Sequence, residues 1–173
     1  MGLLGQVFFN LHYMRKAKKF RAMGKEKLLA LDDEVLYGAI ACICDDAVYD
    51  IKEADVTKEQ KLFYSLTRFE AEVNNGGLCQ FFVNSSGACA PYISEALDAI
   101  GAQRIKALYD AFIADNKIDV NDLSSFKINT VEEYEAQTQR FDYDSFDEAF
   151  YKDEEFHKRM IDYVRKNIDK VIC

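Results

Sequence analysis

Apolar residues recur along this chain mostly at spacings of three and four, the period of one helical face. Leu3, Leu4, Val7, Phe8 and Leu11 form a first stripe, followed by a run of basic residues. Asp32 or Asp33 is placed to cap a helix whose apolar face is Leu36, Ile40, Ile43 and Ala47. Thr57-Lys58-Glu59-Gln60 is a capping box, in which the first side chain accepts from a free amide and the fourth reaches back. Leu62, Leu66, Phe69 and Val73 continue that helix, and Asn74-Asn75-Gly76-Gly77 should end it. A short apolar helix over Leu78–Val83 follows. Pro91 suits the first turn of the next helix, and Gly101 suits its end. Ile105, Leu108 and Phe112 mark another helix, and residues 116–129 form the longest loop. Thr130–Glu133 and Ser145–Glu148 read as two further capping boxes, the first opening a helix to about Arg140. A last helix is expected from about Asp153 to Lys170, with Phe156, Met160, Ile161, Val164 and Ile168 inward. No alternation of period two is sustained, so no sheet is required. The expectation is an all-α fold, a single compact domain of about seven to nine helices.

Charge changes this picture. Residues 1–28 carry seven basic residues against Glu26, a net of +6, while 29–173 carry 15 basic against 29 acidic, a net of −14. A basic amphipathic arm (1–28) thus precedes an acidic helical domain (29–173). Packing of the arm on the body or a second subunit is the favoured reading. A membrane surface is the less favoured one, and direct nucleic-acid binding is opposed by the acidic body. Leu3–Phe9 precedes the positive charges, the reverse of a secretory leader, so a cytoplasmic location is expected. Cys42, Cys44, Cys79, Cys89 and Cys173 are odd in number and lack C-x-x-C spacing, so reduced thiols are expected.

Candidate chemistry is sparse. His12 and His157 are the only histidines, and no zinc, phosphate-loop or nucleophile-elbow pattern occurs. Asp115-x-Lys117-x-Asp119 lacks the glycine and terminal glutamate of a calcium loop. No catalytic group, metal or cofactor is expected. Acids at Glu148, Glu155 and Asp162 each have a base four residues on, the ordinary helix pair. The segment before them differs. Glu132, Glu133, Glu135, Asp142, Asp144 and Asp147 are accompanied by one base, Arg140, and interleaved with Tyr134, Phe141, Tyr143 and Phe146. Acids three or four apart on a helix lie ~5–6 Å from each other, near the spacing of phosphates along a DNA strand.

The stretch Glu72-Val73-Asn74-Asn75-Gly76-Gly77-Leu78-Cys79-Gln80-Phe81-Phe82-Val83-Asn84-Ser85-Ser86-Gly87 resembles the signature of a bacterial domain-of-unknown-function family that includes DNA-mimic proteins. Residues 93–102 fit the same pattern, and the resemblance covers roughly residues 30–170. It implies an acidic, all-helical, homodimeric protein that occupies the DNA-binding face of a DNA-binding protein such as a transcription factor. The expected partner surface is the acidic segment Glu132–Asp147. For Glu72, Asn74, Asn75, Gly76, Gly77, Gln80, Phe81, Asn84 and Gly87 a structural role is expected, with polar groups satisfying one another. The alternative is an enzyme or small-ligand module built on Glu72, Gln80 and Asn84.

Overall fold

The computed structural model describes residues 16–50 and 55–173. The expected stripe Leu3–Leu11, His12 and Arg15 lie outside the described residues. Residues 16–21 are helical. After them come α1 (Lys25–Leu29), α2 (Asp33–Asp50), α3 (Lys58–Val83), α4 (Ala90–Ala99), α5 (Gln103–Asp115), α6 (Val131–Thr138), α7 (Asp144–Tyr151), α8 (Phe156–Lys166) and α9 (Ile168–Val171). Short 3-10 turns occupy Ser85–Cys89 and Ser124–Phe126. The described residues contain no strand, so the all-α class is what the structure shows. None of their helices is long and apolar enough to cross a membrane.

The local signals explain most boundaries. Asp32 Oδ1 accepts from the Val35 amide at 3.0 Å, capping α2. At α3 the capping box forms in full: Gln60 N donates to Thr57 Oγ1 (3.1 Å) and Thr57 N to Gln60 Oε1 (3.0 Å). Thr130 Oγ1 caps α6 by accepting from Glu133 N at 3.2 Å. The Glu133 carboxylate, however, reaches one residue further back, to the Asn129 amide at 2.5 Å. Gly101 closes the turn after α4 with φ of 74°.

Three expectations are corrected. Ser145–Glu148 is not a capping box, because α7 begins one residue earlier and Ser145 Oγ instead donates to Asp142 at 3.3 Å. The last helix starts at Phe156 and is interrupted at Asn167, whose side-chain amide donates to Tyr163 O at 2.9 Å. Asparagine competes in this way for backbone acceptors. Arg159 does not pair with Glu155, since both Asp153 oxygens accept from its Nη1 at 2.8 Å. Glu148 does pair with Lys152, at 2.9 Å.

The chain forms two compact units, one from Met1–Tyr64 with Met160–Cys173, the other Ser65–Arg159. In the first, α1 and α9 pack on α2, burying Leu28, Leu36, Ile40, Ile43, Ile168 and Val171. Ion pairs tie its segments: Arg21 to Asp46, Lys25 to Asp169, Arg165 to Asp33 and Lys170 to Glu59. In the second, α5 packs against α4 and α7 around an aromatic core. Phe69 is fully buried and meets Phe81, Tyr109, Phe146 and Phe150 edge-on, with ring centres 5.0–6.0 Å apart. Such edge-to-face contacts add to the burial of apolar area. None of the five cysteines is in a disulfide, and only Cys173 is exposed.

Charge divides unevenly between these units. The second holds 18 acidic and 9 basic residues, a net of −9, and the first 12 acidic and 13 basic, a net of +1. Most of the net negative charge of residues 29–173 therefore resides in Ser65–Arg159.

Candidate functional site

Two features of the second unit carry polar chemistry: the break in α3 and the acidic row beyond it. The break falls at Gly76 and Gly77, the place the glycine pair marks in the sequence. Gly77 has φ 77° and ψ −177°, a region open to glycine alone. A break of this kind leaves backbone carbonyls and amides without helical partners. Helix α7 satisfies one of each. Tyr151 OH donates to Val73 O at 2.7 Å, and Leu78 N donates to Asp147 Oδ1 at 2.8 Å. Asp147 and Tyr151 are four residues apart, one turn on the same helix face. Glycine is needed here on steric grounds too. A Cβ on Gly77 would stand 2.2 Å from Asp147 Oδ2, and one on Gly76 would stand 2.1 Å from Gln80 Oε1.

Asp147 is thereby turned inward, a correction to its place in the exposed acidic row. Burial raises its carboxyl above the usual aspartate range, against the Leu78 amide, and the charge of Asp144 adds to the rise. Tyr134 of α6 lies within electrostatic reach of Cys79, Asp147 and Glu72, and burial raises its phenol.

Glu72 is the hub of the signature. Its Oε2 accepts from Gln80 Nε2 and Asn84 Nδ2, and its Oε1 from Ser86 Oγ, each at 2.8 Å. Burial pushes this carboxyl up, but the three donors and the Arg68 charge outweigh it, and the net shift is downward. The polar groups thus satisfy one another, as expected for a structural network. Phe81 is in the aromatic core. Gly87 lets the 3-10 turn pass close to the chain, since a Cβ there would lie 2.9 Å from Phe82 O. Asn74 and Asn75 are exposed, and their side chains make no hydrogen bond among the described residues. A cleft of ≈ 360 Å³ lies between Phe82–Ala88 and Asn121–Lys127. Of the three residues in the ligand-module alternative only Asn84 lines it.

The sign of the Glu72 shift makes a prediction. A depressed carboxyl contributes stability that is present above the unfolded glutamate range and lost as pH falls through the folded value. Glu72→Gln is expected to cost about 1–2 kcal/mol at neutral pH, since three donors lose a charged acceptor. It should also flatten the loss of stability below the usual glutamate range. Urea unfolding midpoints against pH test this; an unchanged acid limb in the variant would refute the role given to Glu72.

The acidic row is exposed at Glu132, Glu133, Glu135, Asp142 and Asp144. Glu133 is occupied by the Asn129 amides. Glu132, Glu135, Asp142 and Asp144 have no Lys or Arg in ion-pair range among the described residues. Glu132 is held below the usual glutamate range by backbone and Thr130 hydrogen bonds at the start of α6. The one base of the segment, Arg140, is drawn aside. Its guanidinium lies over Phe141 (4.7 Å) and Phe126 (5.3 Å), and its Nη1 donates to Ser125 O at 2.9 Å. Cation–π contact and a carbonyl acceptor thus hold the charge that would otherwise neutralise the row.

Sequence reasoning missed Tyr151 and the inward turn of Asp147. Their i, i+4 spacing is a signal in hindsight, but it acquires meaning only when α7 is laid against the break. No group of acids, cysteines or histidines among the described residues is arranged to hold a metal ion.

No curated protein and no solved structure matches the chain. The family model described as DMP19-like protein matches residues 54–167, which include the whole signature, the helix break and the acidic row. The chain belongs to the DMP19-like protein family.

Proposed function

We propose that this protein is a DNA mimic, occupying the DNA-binding face of a nucleic-acid-binding protein such as a transcription factor. The observation that carries this reading is the row Glu132, Glu135, Asp142 and Asp144. It is exposed and free of ion-pair partners, in a unit of net charge −9. Carboxylates at helical spacing offer acceptors to Arg and Lys side chains that otherwise grip phosphates. Their field also steers a basic cleft toward the face before contact. Membership in the DMP19-like family supports the same role. The engagement of Asp147 by the Leu78 amide and of Glu133 by the Asn129 amides narrows the contacting set to four residues.

Binding of this kind weakens as salt rises, because the screening length is ~8 Å at physiological ionic strength. The tagged protein should retain a DNA-binding protein from nuclease-treated lysate and release it at moderate salt or on addition of duplex DNA. Glu132→Lys, Glu135→Lys, Asp142→Lys and Asp144→Lys together should lower the affinity for that partner by a factor of ~100 or more, at ~1.5–3 kcal/mol per charged hydrogen bond. The helical circular dichroism should be unchanged. Retention that survives the fourfold reversal or excess duplex would overturn the proposal.

A further inference from the structure

The acidic row stands on two helices of unlike anchorage. Asp142 and Asp144 lie at the start of α7, which buries Phe146, Ala149 and Phe150 and holds the α3 break through Asp147 and Tyr151. Glu132 and Glu135 stand on α6, which buries no residue at all. Six of its eight residues are exposed, and Tyr134 and Gln137 are half-buried. A helix this short falls below the ~12–15 residues at which isolated helices are still marginal in water. Helix α6 therefore persists through what it touches.

Its own caps do not tie it down. Thr130 Oγ1 and the Glu133 carboxylate both accept from amides of the same segment. Tyr134 makes no hydrogen bond or ring contact among the described residues. The hydrogen bonds that leave the segment meet at one acceptor. Ser125 O receives Gln137 Nε2 at 2.6 Å and Arg140 Nη1 at 2.9 Å. The Arg140 guanidinium adds its contact with the Phe141 and Phe126 rings. Ser125 is itself well placed to hold them. It belongs to the 3-10 turn Ser124–Phe126, whose Phe126 is buried against Phe82 with ring centres 5.0 Å apart.

We infer that α6 is a strap, latched by Gln137 and Arg140 on Ser125 O, that opens while the rest of its unit stays folded. Segments with few buried apolar contacts open at a small fraction of the global unfolding free energy. Opening shifts Glu132 and Glu135 against Asp142 and Asp144, which α7 keeps in place. The spacing of the row thus adjusts to the basic cleft it meets. The same event frees Arg140, the one base of the segment, from the carbonyl that holds it. The bearing on a partner rests on the DNA-mimic reading; the opening itself does not.

The test is native-state amide hydrogen exchange on the full chain, free in solution. Amides of α6 should exchange ~100-fold or more faster than those of α5, at rates that low urea leaves unchanged. Gln137→Ala with Arg140→Ala should speed α6 exchange by a further factor of ~10 or more and leave α5 as it was. Alanine favours the helix at position 137, so faster exchange reports the lost latch and not a weaker helix. Circular dichroism checks that the variant folds. Exchange of α6 as slow as that of α5, no change in the double variant, or an equal rise in α5 would overturn the inference. No partner enters the measurement, so its failure is distinct from failure of the DNA-mimic reading.

Discussion

Gly77→Ala is expected to destabilise the protein by about 3–5 kcal/mol, among the largest effects of any single substitution here. Two costs combine. Gly77 sits at φ 77°, ψ −177°, where a side chain costs ~1–3 kcal/mol in backbone strain. The added Cβ would also lie 2.2 Å from Asp147 Oδ2 and 2.9 Å from its Cγ. Asp147 must then move, and the Leu78 amide loses its carboxylate acceptor, a charge-assisted bond worth ~1.5–3 kcal/mol. Gly38 is the matched control. It lies within α2, and a Cβ there would meet nothing within 4 Å. Gly38→Ala should therefore stabilise by about 0.5–1 kcal/mol through helix propensity. Denaturant unfolding of both variants measures the contrast. A Gly77→Ala cost below ~1 kcal/mol would mean that α7 does not hold the break as described.

Phe69→Ala should cost about 3–5 kcal/mol, the range for removing a buried aromatic ring. Phe69 has no exposed surface, and four aromatic neighbours reach it from α3, α5 and α7. Aromatic rings fixed edge-on close poorly over a void, so the cavity term should be near its full value. Phe69→Leu keeps most of the volume and should cost clearly less. A value for Phe69→Ala below ~2 kcal/mol, again by denaturant unfolding, would show that the core collapses around the loss.

Both sites bear on the proposed interface through α7. That helix supplies Phe146 and Phe150 to the core, Asp147 and Tyr151 to the break, and Asp144 to the acidic row. Three jobs share eight residues because successive helix positions face different directions. A residue's acidity therefore says nothing of which job it does. Asp144 and Asp147 are three apart, yet one is exposed and the other buried enough for its carboxyl to be raised.

Local interactions made much of the architecture legible in the sequence. The Thr57–Gln60 box, the Asp32 cap, the Thr130 cap and the Gly76-Gly77 break involve residues within a few positions of each other, so spacing alone encodes them. The mutual bonding of Glu72, Gln80 and Asn84 was legible for the same reason, since a helix and its successor bring them together. Local rules failed where a second nearby group competed for the same partner. Arg159 chose Asp153 over the acid four residues back, and Asn167 used its own amide to interrupt the last helix.

The sequence by itself determined the all-α class, the position of the break and the presence of unneutralised acid between Glu132 and Asp144. Helical period, capping chemistry and net charge are properties of neighbouring residues. Only the tertiary structure decided which charges remain available. Ion pairs and hydrogen bonds join residues as far apart as Lys25 and Asp169 or Leu78 and Asp147, and these engage one charge while leaving another close by in the sequence without an ion-pair partner.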